Sequence, residues 1–392
     1  MTTTRRLPAM PFVLAIAVAV AVVLSAPFVG QIRSWLRATF PGQFVLIVGL
    51  IGGTLLAAAL MAAALRIRDR RAKRYATILA ALGIAATYSW LSANWFTANP
   101  NPESVAVERF HFLEYGVITF LFYRAWRPLR DLSVVILPAL AGLIVGTAEE
   151  WLQWFIPNRV GEIADIFLNL VAIGCGLLFS SAVLPPDGFR SALESGSVSR
   201  VSRMAAATVL ALAIFVHAIH LGYTIVDADA GSFTSRYSHS ELTELQQQKA
   251  AQWRTNPPPL VLKRLSREDQ YLTEGIQHVA HRNKRWAAND IAGAWQENLI
   301  LEKYFVPVLD TPTYAGTSGH RWPPEQRADA EARARPPLPA YVSEAYPYRI
   351  LTWNKWLFWT ISGGLAVALL ASARRAGRAS LPESRVHNAA EN

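Results

Sequence analysis

The sequence predicts an all-α polytopic membrane protein with about eight transmembrane helices and a mostly helical extracytoplasmic domain between the seventh and the eighth. Three observations predict it. Hydrophobic residues make up 52% of the 392 and charged residues only 17%, and mean hydropathy is +0.21. That is too little charge to cover a soluble chain of this length. The apolar residues are gathered into long charge-poor runs, as membrane spans are. The formal net charge of +10 is also unevenly held: residues 226–348 carry 14 Lys/Arg and 15 Asp/Glu, leaving 24 basic and 13 acidic groups elsewhere. A basic excess in the short loops of an apolar chain is a topology signal and not a nucleic-acid footprint, so no nucleic-acid partner is expected.

Taken in order, the predicted spans are 12–30, 43–65, 75–97, 109–126, 132–150, 163–184, 204–225 and 350–373. Most are near the ~20 residues that cross ~30 Å of hydrocarbon. The first could be taken for a secretory signal. The run from Phe12 to Val29 is long for that role, and Pro27-Phe28 is a poor small-residue cleavage site, so a retained span is expected. The fourth is the most polar, with Arg109 and Arg124 bracketing a segment that holds His111 and Glu114. These spans divide the chain into three N-terminal helices (1–104), a transmembrane core (105–225), an extracytoplasmic domain (226–348), a last helix (349–374) and a cytoplasmic tail (375–392).

Orientation follows from the basic residues outside the soluble domain. With a cytoplasmic N-terminus, inner segments hold 18, among them Arg5, Arg6, the cluster Arg66 to Arg74, and Arg374, Arg375, Arg378 and Arg385. Outer segments hold 6: Arg33, Arg37, Arg109, Arg159, Arg349 and Lys355. The positive-inside rule then places both termini in the cytoplasm of a bacterial plasma membrane and the domain outside.

Within that domain, Ser240 before Glu241 is a candidate helix N-cap. Leu265 to Trp286 and Ala287 to Phe305 carry apolar residues at helical spacing, and Pro307, Pro312, Pro323 and Pro324 predict a loop-like later part. Cys175 is the one cysteine, which excludes an internal disulfide and argues against a thiolate zinc site. No phosphate-binding glycine loop is present, and no cofactor or metal is expected.

Ionisable groups inside spans cost roughly 2.5–3.5 kcal/mol each on insertion scales, so each needs a reason. Here they cluster. His111 shares a helix face with Glu114 and Tyr115; Glu150 and Gln153 end span five; Arg159 follows; Asp165 opens span six, with Asn169 one turn later. With spans four, five and six alternating in direction, all fall near the outer membrane face. His217 and His220 lie toward the outer end of span seven, where they are expected to face headgroups.

The order Glu108-Arg109-Phe-His111-Phe-Leu-Glu114-Tyr115-Gly116, then Glu150-x-x-Gln153, Pro157-x-Arg159 and Asp165-x-x-x-Asn169, with Gly174 and Gly176 beyond, resembles the signature of VanZ-like bacterial membrane proteins. It covers about residues 105–180, under a quarter of the chain. Many members carry an Asp-Lys-like pair where this chain has Glu108-Arg109, which keeps the charge order. The resemblance implies an integral membrane protein of the cell envelope in a family named for low-level resistance to the glycopeptide teicoplanin. It implies no particular reaction.

Three readings of the residues stay open. In one, Arg109, Tyr115, Gln153, Arg159 and Asn169 bind the headgroup of a membrane lipid or a lipid-linked cell-wall precursor. In a second, the chain is an enzyme acting on a lipid-linked phosphate or glycan, with His111, Glu114, Glu150 and Asp165 as candidate proton-handling groups. In a third, residues 226–348 dock a protein partner and the membrane cluster only fixes helices together. The stretch His278 to Trp286 is expected to form a solvated basic face.

Overall fold

The computed structural model describes residues 8–96, 102–157, 159, 161–262, 269–334, 340–346 and 348–379, without the side chains of 95, 96, 104 and 379. Arg5, Arg6 and Arg385 of the charge count and Leu265 of the expected helix lie outside the described residues. Described residues within 1–152, 163–213 and 359–392 form one compact unit, and those within 153–162 and 214–358 form a second.

The first unit is a bundle of long helices. They are α1 (Ala9–Thr39), α2 (Phe44–Arg66), α3 (Ala72–Leu91, extended by a π turn, Ser92–Phe96), α4 (Pro102–Trp126), α5 (Ser133–Gln153), α6 (Ile163–Val183) and α7 (Ser195–Phe215, ending in a π turn, Val216–His220). The last helix of the chain, α13 (Lys355–Ala379), contributes its residues from Trp359 onward. Among the described residues seven helices are long and apolar enough to cross a membrane: α1, α2, α3, α5, α6, α7 and α13. This is a multi-span membrane protein.

α4 is not among the seven, and its composition explains why: Glu103, Glu108, Arg109, His111, Glu114 and Arg124 all lie within its 25 residues. Its length is ample, since 25 residues at 1.5 Å each give about 37 Å against a core of ~30 Å. It is also central, packing on α1, α2, α3 and α6. Tyr115, Ile118, Phe122 and Trp126 of α4 share a core with Ala15 and Ala19 of α1, Leu137 and Ala141 of α5, and Ala172 and Ile173 of α6. α2, α3 and α13 instead expose their apolar side chains, for example Leu65 and Leu79, as lipid-facing helices do.

Small residues let the inner helices approach. A Cβ on Gly176 would lie 3.0 Å from Thr119 Cβ and 3.1 Å from Gly116 Cα, so α6 meets α4 almost backbone to backbone. Gly142 leaves space that Ile173 fills. Without a hydrophobic drive between helices in lipid, this close packing is what holds a bundle together.

The second unit is mostly helical, with a hairpin at its start that periodicity did not signal. Strands β1 (Tyr223–Asp227) and β2 (Gly231–Ser235) pair antiparallel, with Ile225 opposite Phe233 and both turned to the core. The turn is closed by Asp227, whose carboxylate accepts from the amides of Asp229 (3.0 Å) and Ala230 (2.9 Å), and by Gly231 at φ 91°. Where the chain enters and leaves the unit, Gly222 N donates to Leu351 O (3.0 Å) and Leu351 N to His220 O (2.7 Å). Gly222 has to be glycine: a Cβ there would overlap the Ser235 carbonyl and lie 2.6 Å from Ile350.

Helices α8 (His239–Thr255), α9 (Gln270–Ala287), α10 (Ile291–Tyr304), α11 (Val306–Asp310) and α12 (Pro324–Ala334) complete it. The N-cap of α8 is Ser238, not Ser240, because Ser238 and Glu241 form a reciprocal capping box. Two of the prolines expected in loops open helices. Pro307 sits at the first turn of α11 and Pro324 begins α12, positions where a missing N–H costs nothing. The core joins Ile225 and Phe233 to Leu242, Tyr271, Ile276, Leu301, Phe305 and Val308.

Candidate functional site

Three helix ends build the candidate site in the first unit: the N-terminal half of α4, the last turn of α5 and the first turns of α6. His111 Nδ1 pairs with Asn169 Oδ1 at 2.9 Å, joining α4 to α6. One turn on, the Tyr115 hydroxyl donates to Glu149 Oε2 at 2.6 Å, joining α4 to α5. The His111 and Tyr115 rings stack, with centroids 6.1 Å apart and planes at 10°. Gly146 of α5 makes room for both pairs, since a Cβ there would lie 3.0 Å from Asn169 Nδ2 and 3.2 Å from Tyr115 OH. Sequence reasoning passed over Gly146 and Glu149; the i, i+3 spacing of the two was the available signal.

The site is buried and acidic. Tyr115, Glu150 and Asn169 are fully buried and Glu149 nearly so. The carboxylates of Glu149, Glu150 and Glu114 all interact electrostatically with Tyr115, and Glu114 also with His111. Among the described residues Asn169 Nδ2 has no hydrogen-bond partner although it is fully buried, a condition that costs about 1–3 kcal/mol.

The other expected site residues have contacts of their own. Arg109 is exposed and lines a crevice with Tyr88, Ser92, Glu108, Phe112 and Leu168. Two residues along a helix are ~200° apart, so Arg109 and His111 face opposite ways on α4. In the crevice Ser92 donates to Glu108 at 2.7 Å, and Asp165 and Glu108 both interact electrostatically with Tyr88. Gln153 and Arg159 belong to the second unit, where Arg159 donates to Gln153 Oε1 at 2.8 Å.

In the second unit two further expectations are corrected. His220 does not face headgroups: it is buried, and its Nδ1 donates to Arg349 O at 2.7 Å. The stretch His278 to Trp286 is a solvated basic face only in part: Asn283 and Lys284 are exposed, but α9 turns His278 and Arg282 inward. His278 Nδ1 donates to Glu297 at 2.6 Å, and Ser343 Oγ (2.6 Å) and the Tyr341 hydroxyl (2.5 Å) donate to the same carboxylate. Burial opposes that charge, but these hydrogen bonds outweigh it and hold Glu297 below the usual carboxylate range. Arg282 donates to Asn298 (2.9 Å) and His320 O (2.7 Å) and lies over Trp322, and burial draws its pKa down to about 10. No group of three or more His, Cys, Asp or Glu among the described residues could hold a metal ion.

Compared with protein-family models, curated proteins and solved structures, the chain matches none.

Proposed function

We propose that the chain is a VanZ-like protein of the bacterial cell envelope that recognises the polar headgroup of lipid-linked or cell-wall material at the outer membrane face, in the context of glycopeptide resistance that the resemblance implies. The observation that carries this reading is the pairing of His111 with Asn169 and of Tyr115 with Glu149, beside a buried Asn169 amide nitrogen that lacks a partner among the described residues. A buried donor of that kind is suited to a phosphate or carbonyl oxygen of a ligand. His111, Tyr115 and Asn169 belong to the motifs that resemble the family signature. The count of basic residues supports the outer location, given that α4 spans; its length and its central packing support that.

The experiment is native mass spectrometry of lipids copurifying with the full-length chain and with Asn169→Leu and Tyr115→Phe. The wild type is expected to retain an undecaprenyl-type lipid or phospholipid that Asn169→Leu loses. Identical lipids in all three would remove headgroup recognition from these residues. The acidic grouping of Glu114, Glu149 and Glu150 around Tyr115 favours a second reading, an enzyme hydrolysing or transferring a lipid-linked phosphate or glycan. In that case Glu149→Gln abolishes turnover while leaving the copurified lipid in place.

A further inference from the structure

Within the first unit, α7 and α13 pass side by side. A Cβ on Gly377 would lie 3.8 Å from Ser199 Oγ. Beside this approach a groove of about 340 Å³ opens, lined by Ser199, Arg203, Leu370, Ala373, Arg374 and Gly377. Its size is at the lower end of the ~300–1,000 Å³ usual for small-ligand sites.

Among the described residues of its two helices the groove is basic without compensation. Residues 195–213 and 359–379 contain Arg200, Arg203, Arg374, Arg375 and Arg378 and no Asp or Glu. The carboxylates of the neighbouring loops are engaged elsewhere. Asp131 accepts from Ser133 and from the Glu194 amide, Glu194 pairs with Arg190 at 3.0 Å, and Asp187 lies 3.7 Å from Arg127. Arg203 is held by its own helix, donating to Ser199 Oγ at 2.7 Å and to Ser199 O at 3.3 Å. That fixes the guanidinium while leaving donors over. Leu370, 42% exposed, continues the groove as an apolar wall. It belongs to the same lipid-facing helix as Val367 and Leu365.

We infer that this groove is a binding site for the phosphate headgroup of an anionic phospholipid, with Arg203 and Arg374 on the phosphate and Leu370 against an acyl chain. Basic pockets between spanning helices hold anionic headgroups in this manner, and guanidinium forks match phosphate oxygens. The basic end of the bundle is the end that the charge count assigns to the cytoplasm, so this site is separate from the His111–Asn169 cluster.

The test uses the full-length chain in phosphatidylcholine nanodiscs into which phosphatidylglycerol is titrated, with bound lipid counted by native mass spectrometry. The wild type is expected to retain phosphatidylglycerol. Arg203→Gln/Arg374→Gln is expected to bind it about thirty-fold more weakly, roughly five-fold per arginine. Ala373→Trp fills the groove and leaves both charges, so it is expected to lose the lipid too, and it decides the matter if the double variant does not fold. Arg68→Gln/Arg70→Gln, altered in the loop after α2, is expected to keep it. Equal retention by wild type and both groove variants overturns the site. Loss from the loop variant as well overturns it, since general attraction to a basic face would then suffice. Complete displacement by inorganic phosphate overturns the lipid as the occupant.

Discussion

Glu297→Ala isolates the polar centre of the second unit. The carboxylate is fully buried and accepts from His278, Tyr341 and Ser343. Removing it strands three donors at once, one of them on a histidine that is itself 1% exposed. A net ~1 kcal/mol per hydrogen bond, with the larger values belonging to bonds with a charged group, gives a loss of about 3–5 kcal/mol, in line with breaking a buried charged pair. Glu297→Gln keeps an acceptor for two of the three donors but presents an NH2 to the third, so about 2 kcal/mol is expected. Pulse proteolysis of the full-length chain in urea reads both losses, because cleavage in loops of the second unit follows its unfolding. The exposed Glu325→Ala serves as reference. A Glu297→Ala loss no larger than that of Glu325→Ala would refute the view that this carboxylate organises the domain. So would full additivity with His278→Ala, since residues sharing one hydrogen bond should be coupled by ~0.5–3 kcal/mol.

Acid should weaken the same unit. Asp227 is desolvated, but hydrogen bonds from Lys303 (2.7 Å) and Tyr304 (2.6 Å) hold it well below the usual range, and Glu297 is depressed likewise. Depressed acids lend stability that is complete above their unfolded pKa near ~4 and fades as pH falls through the folded values, so the part of the urea midpoint that these two acids carry should be lost below about pH 4. Gly176→Leu should force α6 off Gly116 and Thr119, costing a few kcal/mol as overpacking does, seen as a lowered thermal midpoint in detergent. Gly146→Val should press on both Asn169 and Tyr115, and the copurified lipid should be lost. Single cysteines introduced at Gly42 and Asn354 in a Cys175→Ser background should both label from outside the cell if α4 spans; labelling from opposite sides removes α4 as a span.

The long helices were legible because lipid imposes a single requirement, an unbroken apolar run, on each lipid-facing span. α4 tests that rule from the other side. Packed on by four other helices, it holds Glu108, His111 and Glu114 among its apolar residues, which makes it the weakest apolar run of those expected to span. The contact between His111 and Asn169 could be anticipated from helix direction, but its neighbour Glu149 could not be ranked against Glu150 by spacing. The domain was harder. His278, Arg282 and Glu297 are charged or polar residues whose type predicts exposure, and only their mutual hydrogen bonds, formed between α9, α10 and the segment at Tyr341–Ser343, reverse it. The β1–β2 hairpin is five residues a side, and Tyr-Thr-Ile-Val-Asp offers too short an alternation to be told from the end of α7.

The bridge between Leu221 and Leu351 brings side by side two positions 130 residues apart in the chain, both inside the second unit. The stretch between them is thus closed off by a contact only a strand pair wide. A tug on the segments that flank it would be borne by the Gly222 and Leu351 amides and would spare the Phe233–Phe305 interior.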